Sequence, residues 1–160
     1  MAEAELITPQ MRAVIGKRSA PVAYEVSRTS IRMFARAVGY RDPIYYDIDA
    51  ARAAGYADLP CPPGYLGTPV FHPRSGDQEF QALLELEPAR PLTRQLNGGT
   101  EFEYFGDIIA GDVLSATSSI SDIAERSASL GPMLIITTRT EFTDANGKLV
   151  AVMTGTGIPY

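Results

Sequence analysis

The chain has few of the residues that build disulfides and metal sites. Its 160 residues include one cysteine, Cys61, and one histidine, His72. A single cysteine cannot form an internal disulfide, which fits a reducing compartment such as the cytoplasm. Structural zinc sites use several cysteine and histidine ligands, so we expect no metal site.

Positive charge is also scarce. The chain carries 14 Lys and Arg residues against 19 Asp and Glu residues, a net charge of −5 without any long basic cluster. Nucleic acids and anionic membrane surfaces both require a basic face, so neither is an expected partner. No apolar run approaches the roughly 20 residues that span a bilayer. The acidic start, Met1 to Glu5, lacks the basic and apolar regions of a signal peptide, and we expect a cytoplasmic protein.

The length favours one domain over residues 1–160, and the first half of it has helical patterns. Val22 to Val26 is a candidate strand, and Ser27 or Thr29 can cap the helix that follows. Gly39 is placed to end that helix. One helical face would carry the apolar residues at i, i+3, i+4 and i+7, namely Ile31, Phe34, Ala35 and Val38.

The middle of the chain gives shorter and weaker patterns. A second helix is predicted from Ile48 to Ala54, and a third from Gln78 to Leu86. Cys61-Pro62-Pro63-Gly64 is a turn by composition. Pro63 can occupy the first position of a helix starting there.

The second half changes to the residue usage of strands. Thr100 to Phe105 alternates between polar and aromatic residues. Three longer segments rich in Val, Ile and Thr follow it, at residues 113–123, 132–143 and 148–158. Asn146-Gly147 marks a hairpin turn between the last two. Helices followed by an antiparallel meander predict an α+β fold in which the helices cover one face of the sheet.

Several segments in the same order resemble the N-terminal MaoC-like dehydratase domain. They are residues 34–39, 42–47, 96–104, 110–114 and 140–150. The resemblance implies a hot-dog fold, in which an antiparallel sheet wraps around a central helix. It also implies an acyl-thioester substrate carried on CoA or acyl carrier protein, hydration or dehydration without a cofactor, and a homodimer or a heterodimer with a catalytic MaoC-like chain.

One loop departs from the family at its catalytic positions. The family loop is Asp-x-Asn-Pro-x-His, and aligning its proline with Pro43 places Tyr40 at the Asp position, Asp42 at the Asn position and Tyr45 at the His position. Both acid/base groups are therefore absent. A tyrosine, with an ordinary pKa of about 10, is a poor base without help but can donate a hydrogen bond. The tyrosines are either replacement site groups or packing residues in a vacated pocket.

Other residues are candidates for a site in an acyl-thioester enzyme. Asp42 can orient water or merely cap its own turn. His72 is the one side chain whose ordinary pKa lies near neutrality, and it is either catalytic or a loop histidine. Cys61 lacks a neighbouring base in sequence and is better explained as a buried thiol.

Two backbone segments are candidates for substrate binding. At Pro63, Gly64 and Tyr65, free N–H groups of a helix start can face a thioester oxygen, or the segment is an ordinary turn. Gly98 and Gly99 mark either a β-bulge or a close approach of the backbone to a ligand.

Three functions remain open from the sequence. The first is a hydratase or dehydratase component that lacks the Asp/His pair and shapes the acyl tunnel for a catalytic partner. The second is a self-sufficient enzyme with different chemistry on the same scaffold, such as an atypical dehydratase, a thioesterase or a natural-product tailoring enzyme. The third is a non-catalytic module that binds an acyl chain or another small ligand.

Overall fold

The computed structural model describes residues 5–68, 86–129 and 131–160. Helical segments lie in the first of these ranges. They are α1 (Pro9–Val14), α2 (Arg28–Val38), α3 (Ile48–Ala53) and two 3₁₀ turns, Pro43–Tyr45 and Tyr65–Gly67. Among the described residues, no helix is both long and apolar enough to cross a membrane.

Five strands form one sheet with the order β1-β3-β4-β5-β2. Their bounds are β1 Val22–Glu25, β2 Gln95–Tyr104, β3 Val113–Ala128, β4 Gly131–Thr143 and β5 Leu149–Pro159. Every neighbouring pair is antiparallel, so the predicted meander and the α+β class are confirmed. Strands β1 and β2 are the two edges, and each has one side without a strand partner among the described elements.

Helix α2 is fixed at both ends by local sequence. The Ser27 and Ser30 side chains form a capping box at its start, and Gly39 ends it with a φ of 81°. Ile31 and Ala35 are fully buried, as the helical pattern predicts. Val38, the last residue of the helix, is on the same helical face but 49 % exposed.

The main core lies between α2 and one end of the sheet. Ile31 packs there with Leu114 from β3, Phe142 from β4 and Ala151 from β5. A second, smaller core joins α1 to the other end of the same sheet through Met11, Ile120 and Leu134, among others. The face of the sheet that carries Phe142 and Ala151 is called the core face below.

The structure corrects several boundaries in the middle and at the turns. The turn after Pro63 is a 3₁₀ turn that starts at Tyr65, and its preceding residue is Gly64 with a φ of 84°, so Pro63 is not the first residue of a helix. The second helix ends at Ala53 instead of Ala54. The predicted helix from Gln78 lies almost wholly outside the described residues. In the β4–β5 hairpin only Gly147 adopts a positive φ, of 77°, and Asn146 does not.

Candidate functional site

The loop that resembles the catalytic loop is held by its own backbone. The Asp42 carboxylate accepts a hydrogen bond from the Ile44 N–H at 3.1 Å and so caps the Pro43–Tyr45 turn. The N–H groups of Tyr46 and Asp47 both donate to the Pro43 carbonyl at 2.9 Å. Asp42 therefore has a structural role here whether or not it also orients water.

Tyrosine rings stand on both sides of this loop. The rings of Tyr40 and Tyr45 are tilted against each other with centroids 5.7 Å apart. Tyr40 donates a hydrogen bond from its hydroxyl to the Pro63 carbonyl at 3.3 Å. Tyr45 is half-buried and packs against the main core, and burial, with Asp42 next in effect, raises its pKa. At neutral pH the Tyr45 side chain is therefore a neutral phenol and not a base.

The backbone N–H groups of Gly64 and Tyr65, in the turn that follows Pro63, already have acceptors. The Gly64 N–H donates to the Tyr104 hydroxyl at 3.3 Å. The Tyr65 N–H donates to the Pro62 carbonyl at 3.0 Å. Burial, followed by Cys61, raises the pKa of Tyr104, so its hydroxyl is neutral near pH 7 and keeps its own proton while its oxygen accepts this bond. We refer to Tyr40, Tyr45, Cys61, Gly64 and Tyr104 together as the tyrosine site.

Cys61 is the one cysteine of the chain and packs against the same main core as Tyr45. Burial, with Asp112 as a second cause, raises the pKa of the Cys61 thiol to about 12. Its Sγ lies 3.7 Å from the Pro62 carbonyl oxygen. Because the thiolate is the nucleophile, a thiol with this pKa is unreactive near neutrality.

The rings of Tyr65 and Tyr24 belong to the main core, against which Tyr45 and Cys61 of the tyrosine site pack. Tyr65 is 3 % exposed, and its hydroxyl lies 2.5 Å from the Ser30 hydroxyl. Tyr24 packs edge-on against Tyr65 with ring centroids 5.9 Å apart. The hydroxyl of Tyr24 lies 2.7 Å from the Thr68 hydroxyl. The side chain of Tyr65 thus belongs to the core. Its backbone N–H donates to Pro62 and its carbonyl accepts from Tyr24 and Thr68, so the substrate-binding role predicted for Tyr65 from the sequence stays a prediction.

An open groove of about 650 Å³ lies on the core face of the sheet, beyond α2. Its walls come from β4, β5 and β2, with residues 86–92 on one side. The residues that matter below are Gly99, Ile136, Thr138, Met153, Gly155 and Gly157. Ile136 and Met153 contribute apolar surface, and polar side chains line the rest of the groove, namely Gln95, Asn97, Thr100, Thr138 and Thr156. The Thr138 hydroxyl donates to the Gly155 carbonyl at 3.3 Å.

The glycines of β5 shape this groove by admitting neighbouring side chains. A Cβ on Gly155 would lie 2.9 Å from the Thr138 hydroxyl oxygen, and one on Gly157 would lie 3.3 Å from the Gln95 side-chain nitrogen. Sequence reasoning missed this groove. The available signal was Gly155-x-Gly157 inside a strand, since glycine in a strand interior often marks a close approach.

The sequence-predicted candidates separate into two places. The first place is the tyrosine site, where the rings of Tyr40 and Tyr45 contact each other and Tyr40 bonds to the Pro63 carbonyl. Gly64 belongs to the same site, and the Tyr65 ring is buried in the core beside it. Gly99 lines the groove, where its φ of 129° belongs to a bulge between Asn97 and Gly99. Gly98 faces β5, because a Cβ there would lie 2.8 Å from the Thr156 methyl carbon. His72 lies outside the described residues, and no group of three potential metal ligands occurs within them.

Solved structures with this architecture include dehydratases. The chain matches the Mycobacterium tuberculosis HadBC complex, a 3R-hydroxyacyl-ACP dehydratase, with a TM-score of 0.72 and 24 % identity, covering 91 % of this chain and 96 % of that one. It matches a MaoC-like dehydratase with a TM-score of 0.74 and 26 % identity, over 93 % of this chain and 43 % of that one. The fold is therefore the hot-dog fold of MaoC-like dehydratases.

The family follows from the sequence comparisons. Residues 13–153 match the model of the FAS1-like dehydratase domain region. A UPF0336 protein of Parafrankia sp. is 37 % identical over 132 residues, which cover 81 % of this chain and 80 % of the relative. The chain belongs to the FAS1-like, MaoC-like dehydratase family.

Proposed function

We propose that this chain is the non-catalytic half of a heteromeric acyl-thioester hydratase or dehydratase. In this role the hot-dog domain, residues 1–160, pairs with a catalytic MaoC-like chain in the cytoplasm. The partner supplies the Asp and His. In dehydration these groups take a proton from the carbon next to the thioester carbonyl and give a proton to the hydroxyl that leaves the following carbon as water, and hydration is the reverse. This chain supplies part of the acyl tunnel and needs no cofactor of its own.

The tyrosine site carries the proposal. The two positions of the lost acid/base pair, Tyr40 and Tyr45, hold phenol rings that contact each other. A base near neutral pKa is required for this chemistry, and burial moves the pKa of Tyr45 further upward. The Gly64 N–H, a candidate donor to the thioester oxygen, is bonded to Tyr104 instead.

The groove supports the second part of the proposal. Its volume of about 650 Å³ lies within the range of small-molecule sites. Ile136, Met153 and the β5 glycines provide apolar walls of low relief, which suit a flexible acyl chain. The HadBC structure, which this chain resembles in fold, is itself a complex.

The test is reconstitution with a catalytic MaoC-like chain from the same organism. We expect hydration of trans-2-enoyl-CoA by the mixture. In the mixture, Ile136→Trp in this chain should lower kcat/KM for long-chain more than for short-chain substrates, because the indole fills the groove. Thr137→Trp is the matched control, since the adjacent residue of a strand points to the other face.

Either of two results would count against the half-enzyme role. One is full hydration by the catalytic chain alone with no change when this chain is added. The other is an equal effect of Ile136→Trp and Thr137→Trp on both substrates, which would mean that the groove does not hold the acyl chain.

The groove also favours a second function, a binding module without catalysis. A groove of this size can hold an acyl chain or another apolar ligand with no partner present. In that case a long-chain acyl-CoA should raise the Tm of the isolated chain, and Ile136→Trp should abolish the shift. Binding of this kind without any effect on a partner's turnover would favour the module over the half-enzyme.

A further inference from the structure

Polar side chains line one part of the groove because β2 and β4 present them beside two glycines of β5. Thr138 of β4 lies opposite Gly155. Three residues of β2 also line the groove across β5, with Thr100 opposite Gly155, Asn97 opposite Gly157 and Gln95 opposite Pro159. Since glycine has no side chain, β5 covers none of these polar groups at residues 155 and 157. We call Gln95, Asn97, Thr100 and Thr138 the polar row.

The hydrogen-bonding groups of the polar row are only partly used. The Thr138 hydroxyl donates to the Gly155 carbonyl, so its oxygen can still accept. The Asn97 side-chain oxygen accepts from the Gly99 N–H at 2.9 Å, which leaves the amide NH₂ group as a donor. Within residues 5–68, 86–129 and 131–160, the side chains of Gln95 and Thr100 make no hydrogen bond. The row therefore offers both donors and acceptors to a ligand.

The polar row begins away from the end of the groove that adjoins the tyrosine site. At that end Met153 packs against the main core and lies opposite Phe102. The Phe102 ring stacks on that of Tyr104, in the tyrosine site, with centroids 6.2 Å apart. Gly155 and Gly157 lie about 7 Å and about 13 Å further along β5 than Met153, at about 3.3 Å per residue. A chain laid along β5 from this end therefore meets apolar surface first and the polar row beyond it.

An unsubstituted alkyl chain is a poor match for the polar row. It would exclude water from the hydroxyls and amides of the row and would offer no hydrogen bond in return. The apolar side chains of Leu86, Pro88 and Leu92, which also line the groove, can hold its methylene groups. A hydroxyl on the chain can donate to one member of the row and accept from another. The groove therefore has separate surfaces for the methylene groups and for an oxygen substituent.

We propose that the groove selects an acyl chain that carries a hydroxyl group where the chain crosses the polar row, well beyond the reacting carbons. This inference rests on the acyl-binding role of the groove in the proposed function and names its substrate class, a hydroxylated acyl thioester. A site that hydrogen-bonds a hydroxyl discriminates against the analogue that lacks it, because its own polar groups are then left unpaired.

The test compares ligands that differ by one oxygen atom. Saturated acyl-CoAs of increasing chain length are prepared with and without a hydroxyl on the last carbon. Calorimetry measures their binding to the purified chain and to its mixture with a catalytic MaoC-like chain. Where the last carbon reaches the polar row, the hydroxylated ligand should bind about tenfold more tightly, as about one added hydrogen bond allows. Shorter chains should show no preference. High salt should leave the preference intact, because the hydroxyl carries no charge.

Matched variants locate the preference in the polar row. Thr138→Val removes a hydroxyl, keeps the side-chain shape and should lower the preference at least about threefold. Thr137→Val is the control, because it makes the same change at the adjacent residue, whose side chain points to the other face of the sheet. It should keep the full preference. Thr100→Val repeats the test at a side chain without a hydrogen bond among the described residues, in case Thr138→Val does not fold.

Equal binding of the two ligands at every chain length, in the chain alone and in the mixture, would overturn the inference. A preference that Thr138→Val and Thr100→Val both leave unchanged would also overturn it. Turnover of unsubstituted trans-2-enoyl-CoA by the mixture would still support the half-enzyme role in either case. A preference for the hydroxylated ligand without turnover in the mixture would support the inference and reject the half-enzyme role.

Discussion

The tyrosine site and the groove lie on the same fold but are built in opposite ways. In the tyrosine site, rings and hydroxyls occupy the space and the backbone donors, as with Tyr104 on the Gly64 N–H. In the groove, glycines at Gly155 and Gly157 leave about 650 Å³ open along the sheet. In one region the Gly64 and Tyr65 N–H groups are bonded within the protein, and in the other the sheet leaves an open groove.

Under the proposed function, this difference separates the binding of the acyl chain from the proton transfers. A hot-dog domain that retained its catalytic pair would need both an open acyl channel and an open catalytic loop. Here only the channel is open, which is why we propose that the catalytic groups come from another chain. A tyrosine site that opens easily, or whose groups are reactive, would contradict this difference between the two regions.

The largest expected effect is a loss of folding stability when the buried Tyr65 ring beside the tyrosine site is removed. Tyr65→Ala should lower the free energy of unfolding by about 3–5 kcal/mol, because it removes a buried ring that packs on Tyr24 and Phe34. Tyr65→Phe keeps the ring, loses the contact with Ser30 and should cost about 1 kcal/mol. Urea unfolding measures both.

A groove variant provides the matched comparison for Tyr65. Thr138→Val keeps the side-chain shape and loses one weak hydrogen bond, so it should cost less than about 1.5 kcal/mol. If Tyr65→Ala were tolerated as well as Thr138→Val, the tyrosine site would not be the closed, packed region described above.

A smaller effect is expected when one donor is released. Tyr104→Phe removes the acceptor of the Gly64 N–H and should cost about 0.5–1.5 kcal/mol. The informative readout is hydrogen exchange at the Gly64 amide, which should become faster. Tyr40→Phe is the control, because Tyr40 bonds to the Pro63 carbonyl and not to this amide. Unchanged exchange in Tyr104→Phe would show that the amide is not held by Tyr104.

The Cys61 thiol can be tested without any substitution, through its rate of alkylation. Its pKa of about 12 exceeds the unfolded value of about 8.5, so the native state favours the neutral thiol. The resulting stability is complete below about pH 8.5 and is lost as the pH rises towards 12. Alkylation by iodoacetamide at pH 8 should be about a thousandfold slower in the native protein than in urea.

The pH profile of that reaction distinguishes burial from simple steric shielding. In urea the rate should level off above about pH 8.5, whereas the native rate should still be rising at about pH 10. A native rate that levels off near pH 8.5 would mean that the thiol is not held in the neutral form. Cys61→Ser gives the background of the assay.

Local patterns predicted the fold well where one segment determines its own structure. The Ser27 cap, the Gly39 end of α2 and the strand-rich second half are all properties of neighbouring residues. The helical pattern put Val38 on the apolar face but could not predict its exposure, because burial also depends on contacts with distant segments. The helix start suggested at Pro63 was wrong, because Gly64 with its positive φ interrupts any helix from Pro63.

The site was harder to predict because it joins distant segments. Tyr40 and Tyr45 were found from the loop pattern. Tyr104 meets Gly64 across 40 positions of sequence, and nothing near Tyr104 indicates this contact. The groove likewise depends on the register of β4 and β5, which pairs Thr138 with Gly155. The roles of Asp42 and His72 stay predictions.

The most direct measurement is hydration by the purified chain alone, assayed with a short and a long trans-2-enoyl-CoA. We expect no turnover of either substrate, because the loop resemblance puts Tyr40 and Tyr45 at the acid/base positions, and turnover once a catalytic MaoC-like chain is added. Clear turnover by the chain alone, lost in Tyr45→Phe, Asp42→Ala or His72→Ala, would contradict the half-enzyme account and identify a self-sufficient enzyme.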